Sequence, residues 1–145
     1  PELAGAAMPA HVRRVLAAAD LPDIAARRRA NAAVYHRAMP RLRPLKALTA
    51  SPRPDACPWV FPVLLDQRDR RDRGLRAAGV ALHTFGIFLH SSLFAGGDAH
   101  TVAAARFLAE RVLCLSVHQG LATTDIEAAC DVIQSQARTW EEPTP

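Results

Sequence analysis

The sequence lacks the features that would place the protein in or across a membrane. No apolar run approaches the roughly 20 residues of a membrane-spanning helix, and no basic segment followed by an apolar one opens the chain. The three cysteines, Cys57, Cys114 and Cys130, are odd in number and form no C-x-x-C pair. We therefore predict a soluble cytoplasmic protein in which these cysteines are reduced residues of the core.

Aromatic residues are scarce where the charge is positive. The net charge is +4, and arginines cluster at residues 27–29 and again within residues 67–73. The second cluster alternates with Asp69 and Asp72, as a self-neutralising helix surface does, and no aromatic residue stands among its arginines to stack on a base. Nucleic acid is therefore not predicted as a partner.

Metal-ligand clusters and common catalytic motifs are also missing. The histidines include no i, i+4 pair and no Cys/His cluster, so no metal site is predicted. The sequence contains no G-x-G-x-x-G, Walker lysine, G-x-S-x-G or H-E-x-x-H motif. Cys114 stands in an apolar strand pattern, where burial raises the thiol pKa and disfavours nucleophilic chemistry.

What is present is a regular alternation of helix and strand patterns. Helices are predicted at residues 9–19, 22–39, 66–78, 103–112 and from 124 onward, and strands at 57–65, 80–84 and 113–117. Segment 41–56 is a proline-rich loop with room for a short edge strand, and 85–99 is a glycine-containing loop. We predict a small α/β fold, in which helices pack on a three-stranded sheet.

Several side chains are given positions by these patterns. Pro58 and Pro62 lack an N–H for strand pairing, so their strand is predicted at a sheet edge or at a kinked crossing. The inward-facing residues are predicted to include Leu75, Ala78, Val102, Phe107 and Leu108. Gly79 is predicted to end its helix.

The helix at 22–39 has apolar residues at three- and four-residue steps. Its outer face is predicted to carry Arg27, Arg29 and Arg37, while Arg28 and Asn31 lie near the buried stripe. We expect Arg28 to reach solvent along its aliphatic stem or to pair with a carboxylate.

The strand at 113–117 leads through His118-Gln119-Gly120 directly into a helix start. Thr124 and Glu127 have the spacing of a capping box, in which the threonine accepts an N–H and the glutamate reaches back. His118 is interpreted as a turn residue whose ring is satisfied by the backbone.

Three blocks of the sequence resemble the DegT/DnrJ/StrS family of pyridoxal-phosphate aminotransferases, in the family's order. The strand and turn at 113–121 are similar to its "LxLPxHxxL" segment, "RRRANAxxY" at 27–35 to its "RRxNAxxY" linker helix, and "PWVFPV" at 58–63 to its "PWxFPV" strand. The resemblance covers about Pro9 to Ile133, which corresponds to the last third of a family member.

The same resemblance indicates candidate substrate-binding residues. The segment from Gly79 to Phe94 is similar to the family's "GIxTRPxxxPLHxQPxF" loop beside the active-site cleft, which implies cleft-facing roles for His83, Phe85 and His90. For each of them the alternative is structural: a histidine bonded to backbone, or a phenylalanine that fills the core. The family's "RP" pair is replaced by His83-Thr84, and this departure bears on substrate specificity.

As a whole, the resemblance implies the C-terminal small domain of a fold-type-I aminotransferase that acts on a keto-sugar or related keto substrate. Residues 9–138 would form that domain, residues 1–8 would be disordered or a remnant of the preceding domain, and residues 139–145 a frayed tail. Pyridoxal phosphate would be bound in the full-length enzyme and not by this chain alone, since Lys46, its only lysine, stands in a proline-flanked linker. The implied partners are the N-terminal cofactor domain and a second subunit of a homodimer.

A second interpretation remains open at this point. Three strands packed by helices also describe a stand-alone small-molecule-binding or dimerisation module of ferredoxin-like type.

Overall fold

The computed structural model describes residues 8–49, 53–84 and 99–141 of the chain. Five α-helices, four strands and a short 3₁₀ helix (Met39–Arg41) follow one another in these ranges. The α-helices are α1 (Ala10–Ala18), α2 (Leu21–Ala38), α3 (Arg68–Ala77), α4 (Ala99–Arg111) and α5 (Thr123–Glu141). The strands are β1 (Lys46–Ala47), β2 (Val60–Leu64), β3 (Leu82–His83) and β4 (Val112–Ser116). The predicted order of elements is confirmed, and β1 is the short strand for which segment 41–56 had room.

The strands form one antiparallel sheet in the order β1-β2-β4-β3. Strand β4 lies inside this sheet, between β2 and β3. On the β2 side Phe61 lies opposite Leu115, and on the β3 side Leu82 lies opposite the same Leu115. The small α/β fold is thus confirmed, with a fourth strand added at the edge of β2.

Strand β2 is an interior strand, which corrects the prediction that its prolines hold it at an edge or a kinked crossing. Pro62 lies opposite Cys114 on β4, and its carbonyl oxygen accepts the backbone N–H of Leu48 at 3.0 Å. The N and O of one strand residue point to the same side, so the missing N–H of Pro62 faces β1 and not β4. Strand β1 ends there, at Ala47, and the ladder with β4 therefore loses no bond.

The core lies between one face of the sheet and helices α2 and α5. The ring of Tyr35 on α2 stacks on Phe61 of β2 with 5.2 Å between centroids. The fully buried side chains of this layer are Tyr35, Leu42, Val63, Leu65, Leu75, Leu113, Leu115, Val117, Ile126, Cys130 and Ile133. Since burial of one such apolar side chain contributes about 1.5–3 kcal/mol, this layer is the main source of stability.

Local signals set the start of α2, close to the predicted Pro22, and the end of α3, at the predicted Gly79. Asp20 precedes α2, and its Oδ1 accepts the backbone N–H of Asp23 at 3.0 Å, with Pro22 in the first turn. Gly79 ends α3 with φ +87°, a value that L side chains rarely adopt.

The start of α5 differs from the predicted capping box of Thr124 and Glu127. The helix begins at Thr123, and the carboxylate that reaches back belongs to Asp125, whose Oδ2 accepts the backbone N–H of Ala122 at 2.8 Å. The observed pair lies two residues before the predicted one, because several acceptors stand close together in this segment.

Some side chains predicted to face inward are exposed instead. Phe107 and Leu108 on α4 are 45% and 41% exposed, and Ala78 and Cys57 are exposed too. Helical spacing tells which residues share a face, whereas whether anything covers that face depends on distant chain segments. Helix α4 is therefore present as predicted, but the described residues do not cover Phe107 and Leu108 on its apolar face.

Helix α5 continues through residues 139–141, which the sequence assigned to the tail. Trp140 is half-buried against the core, and the guanidinium of Arg71 lies 4.9 Å from its ring centroid. In the described ranges no helix combines the length and the apolar character that crossing a bilayer demands.

Candidate functional site

Of the candidate binding residues, only His83 falls within the described ranges. It lies opposite Cys114 at the end of β3, an edge strand, and its side chain is exposed. Phe85 and His90 lie in segment 85–98, outside the described residues. His83 thus occupies the last position of a strand, and the substrate-binding roles of His83, Phe85 and His90 remain predictions.

Arg76 supports the strand that carries His83. Its Nη1 donates to the carbonyl oxygen of Leu82 at 3.0 Å, and its Nε donates to Asp72 Oδ1 at 2.7 Å, one turn earlier on α3. In the antiparallel register the Leu82 carbonyl points away from β4. Arg76 therefore satisfies an edge acceptor and fixes β3 just before His83.

His118 lies at the opposite end of the sheet, in the turn between β4 and α5. Its ring Nδ1 accepts the backbone N–H of Gly120 at 3.1 Å, which confirms the interpretation of a turn residue. A Cβ at Gly120 would stand 3.1 Å from this same Nδ1, so the turn favours glycine there.

Side chains of helix α2 donate hydrogen bonds to this turn and hold it in place. Asn31 is 2% exposed, and its Nδ2 donates to the carbonyl oxygens of His118 at 3.0 Å and Leu121 at 3.2 Å. Arg28 donates from Nε to Gln119 Oε1 at 2.8 Å. The recorded partner of Arg28 is therefore a neutral amide and not the predicted carboxylate, while the side chain stays partly exposed.

Arg29 is also not on the outer face where the sequence placed it. It is half-buried, and its Nη1 donates to the carbonyl oxygen of Ala56 at 3.2 Å. Helix α2 thus binds two separate segments of the chain through consecutive arginines.

A mainly apolar cavity of about 180 Å³ lies beside this contact. It is lined by residues of α2 and β2 and by the segment before β2, among them Arg29, Ala32, His36, Pro58 and Phe61. The ring of His36 meets Phe61 edge-on at 4.7 Å, and burial lowers its pKa below the usual 6.5. The sequence pattern around His36 predicts no role for it, since a lone histidine on a helix face carries no specific signal.

Burial also raises the pKa values of two thiols. It raises the pKa of Cys114, as expected for a thiol inside an apolar strand, and raises that of Cys130 to about 11. Neither thiol is suited to act as a nucleophile near neutral pH.

One family model matches most of the chain. Residues 12–134 match the model of the DegT/DnrJ/EryC1/StrS aminotransferase family. The chain belongs to this family, whose members depend on pyridoxal phosphate. None of the curated proteins matches the chain.

Solved structures of similar fold include two aminotransferases and the protein DesV. TlmJ of Streptoalloteichus hindustanus is 25% identical, with 84% of this chain and 34% of that one covered and a TM-score of 0.66. DesV of S. venezuelae, in complex with a ketimine intermediate, is 22% identical, with 92% and 36% covered and a TM-score of 0.74. Spr1654 of Streptococcus pneumoniae, assigned as a sugar aminotransferase, is 13% identical, with 81% and 32% covered and a TM-score of 0.61. The chain spans about a third of the length of each of them.

Neither the single lysine nor the buried polar side chains of the described residues fit the cofactor of the family. Pyridoxal phosphate needs a lysine for its Schiff base, a carboxylate for the ring nitrogen and backbone donors for the phosphate. Lys46, the single lysine, is exposed on β1 at the sheet edge. Among the described residues the buried polar side chains are Asn31 and Arg68, and neither is a carboxylate.

Proposed function

We propose that this chain is the C-terminal small domain of a pyridoxal-phosphate aminotransferase and that it closes over a preceding cofactor domain. Residues 9–138 would form this domain in a cytoplasmic homodimer. The observation that carries the proposal is a mismatch: residues 12–134 match the family, yet the only lysine is exposed at the edge of the sheet. The atoms that hold the cofactor therefore belong to another part of the enzyme.

The proposed reaction is the transfer of an amino group to a keto-sugar or a related keto substrate. The cofactor supplies the electron sink that this transfer needs when it is bound. The support for a sugar substrate is the assignment of Spr1654, a structural relative, as a sugar aminotransferase.

The contribution of this chain would be to bind and orient the substrate and to exclude water. His83 ends an edge strand that Arg76 and β4 fix in place. A ring in this position can donate or accept hydrogen bonds to hydroxyl or phosphate groups of a substrate without taking part in the central proton transfer. Phe85 and His90, the other predicted binding residues, follow His83 in the sequence and would complete the cleft wall.

The test uses the full-length enzyme with keto-sugar nucleotides and an amino donor. Amination should be observed, and His90→Ala should raise KM while the cofactor still binds. Gln119→Ala, at the opposite end of the sheet, is the matched control and should leave KM unchanged. A full-length enzyme that binds pyridoxal phosphate but aminates no keto-sugar would refute the substrate proposal and keep the family assignment.

A further inference from the structure

Helix α1 carries apolar side chains that the described residues do not cover. None of its residues is buried. Val15 and Leu16 are 67% and 50% exposed, and Met8, just before the helix, is 47% exposed. Met8, Val12, Val15 and Leu16 recur at the three- and four-residue steps of one helical face, with Arg13 and Arg14 beside it.

A helix as short as α1 needs a surface on which its apolar face can pack. Isolated helices shorter than about 12–15 residues are marginal in water, and most helical stability in proteins comes from packing of an apolar face. Helix α1 has nine residues, no side-chain cap at its start and no acidic residue in its first turn. Its own sequence therefore does not account for its stability.

Helix α2, in contrast, is firmly part of the small domain. Its Asn31 and Arg28 hold the turn after β4, and its Tyr35 stacks on Phe61. Between the two helices, Ala19 has extended dihedral angles (φ −78°, ψ 125°), and Asp20 caps α2. The two helices are thus separate elements joined at Ala19–Asp20.

We propose that α1 docks through Met8, Val12, Val15 and Leu16 on the preceding cofactor domain, so that the contact surface between the two domains includes this helix. The proposal rests on the proposed function. The solved relatives are about three times longer than this chain, and the family match begins at residue 12, inside the helix. Two copies of α1 make a poorer pair, because each has two arginines and no acidic residue to neutralise them.

The proposal predicts different hydrogen exchange of α1 in two forms of the protein. In the full-length enzyme the amides of residues 10–18 should exchange at least about tenfold more slowly than in the 145-residue chain, since docking suppresses local unfolding. The amides of residues 26–36 in α2 should be protected in both forms and serve as the internal reference.

The double variant Val15→Ser/Leu16→Ser should abolish the difference in α1 and lower the melting temperature of the full-length enzyme only. Leu48→Ser, a matched change at another exposed leucine (44% exposed), should alter neither quantity. Cofactor binding and amination by the unmodified enzyme test the proposed function separately.

Three outcomes would overturn the docking proposal even in an active enzyme. Fast exchange of residues 10–18 in both forms would show a helix without a partner. Slow exchange in both, with an equal loss of melting temperature in the variant, would show packing within the small domain itself. If residues 10–18 exchange slowly in the 145-residue chain and this protection decreases when the chain is diluted, the partner is a second copy of this chain.

Discussion

Helices α1 and α2 follow one another in the chain, but they differ in how many side chains they bury and in how they bind the rest of the protein. Helix α2 buries five side chains, Asn31, Ala32, Val34, Tyr35 and Ala38, and bonds two distant segments. Helix α1 buries none. The difference shows that the chain completes one hydrophobic core around its sheet and leaves further apolar surface at its margin.

Helix α4 resembles α1 in this respect, although it stands between two strands. Its Phe107 and Leu108 are also exposed, though less so than Val15 and Leu16 of α1. Arg68, 3% exposed, donates to the carbonyl oxygens of Ala109 and Val112 and fixes the end of α4. Backbone anchoring thus holds α4 without burial of its apolar side chains. In a part of a larger enzyme, surface of this kind is available for another domain or subunit.

The largest test of this comparison is a pair of leucine truncations in the 145-residue chain. Leu113→Ala in β4 should cost about 2–5 kcal/mol of unfolding free energy, because it opens a cavity in the core. Leu16→Ala in α1 should change it by less than about 0.5 kcal/mol. Urea unfolding measures both, and similar losses at the two sites would break the distinction between core and margin.

Removal of the buried amide tests how α2 is attached. Asn31→Ala removes the side-chain donor from the carbonyl oxygens of His118 and Leu121, of which the His118 oxygen still accepts the backbone N–H of Leu121, and should cost about 1–3 kcal/mol. Gln119→Ala removes only the half-buried partner of Arg28 and should cost less. If thermal and urea unfolding gave the reverse order, the attachment would depend on Arg28 instead.

Two glycines of the α3 segment give a finer contrast. Gly79→Ala forces a left-handed conformation on alanine at φ +87° and should cost about 1–2 kcal/mol. Gly74→Ala lies inside α3, where its Cβ would stand 3.5 Å from Gln136 Oε1, an ordinary contact, and should stabilise the chain by about 0.5–1 kcal/mol. Equal effects in unfolding experiments would contradict the assigned end of α3.

The smallest expected effect concerns His36 and pH. Burial lowers its pKa in the folded chain, so the unfolded chain takes up the proton more readily. Its contribution to stability should be complete above about pH 6.5 and decline as the pH falls from there through the lower folded-state pKa. His36→Gln should flatten this decline in urea unfolding at pH 7.5 and pH 5. An unchanged decline in the His36 variant would assign it to other groups.

Sequence patterns predicted the features that depend on neighbours in the chain. The strand before His118, the Asp20–Pro22 helix start and the turn at Gly79 all follow from residues within a few positions. The interior place of β2, the amide partner of Arg28 and the exposure of Phe107 depend on segments far along the chain, which periodicity does not encode. For the site, the sequence placed His83 at a strand end, while the cavity beside His36 arises only when α2 packs on β2.

The most direct test of the central claim is to locate the lysine that carries the cofactor. The full-length protein is incubated with pyridoxal phosphate and reduced with borohydride, and the adduct is mapped by mass spectrometry, in parallel with the 145-residue chain and with full-length Lys46→Ala. We expect a stoichiometric adduct on a lysine outside this chain, no stoichiometric adduct on the chain alone, and undiminished transamination in the Lys46 variant. A stoichiometric adduct at Lys46, with loss of activity when it is replaced, would contradict the account.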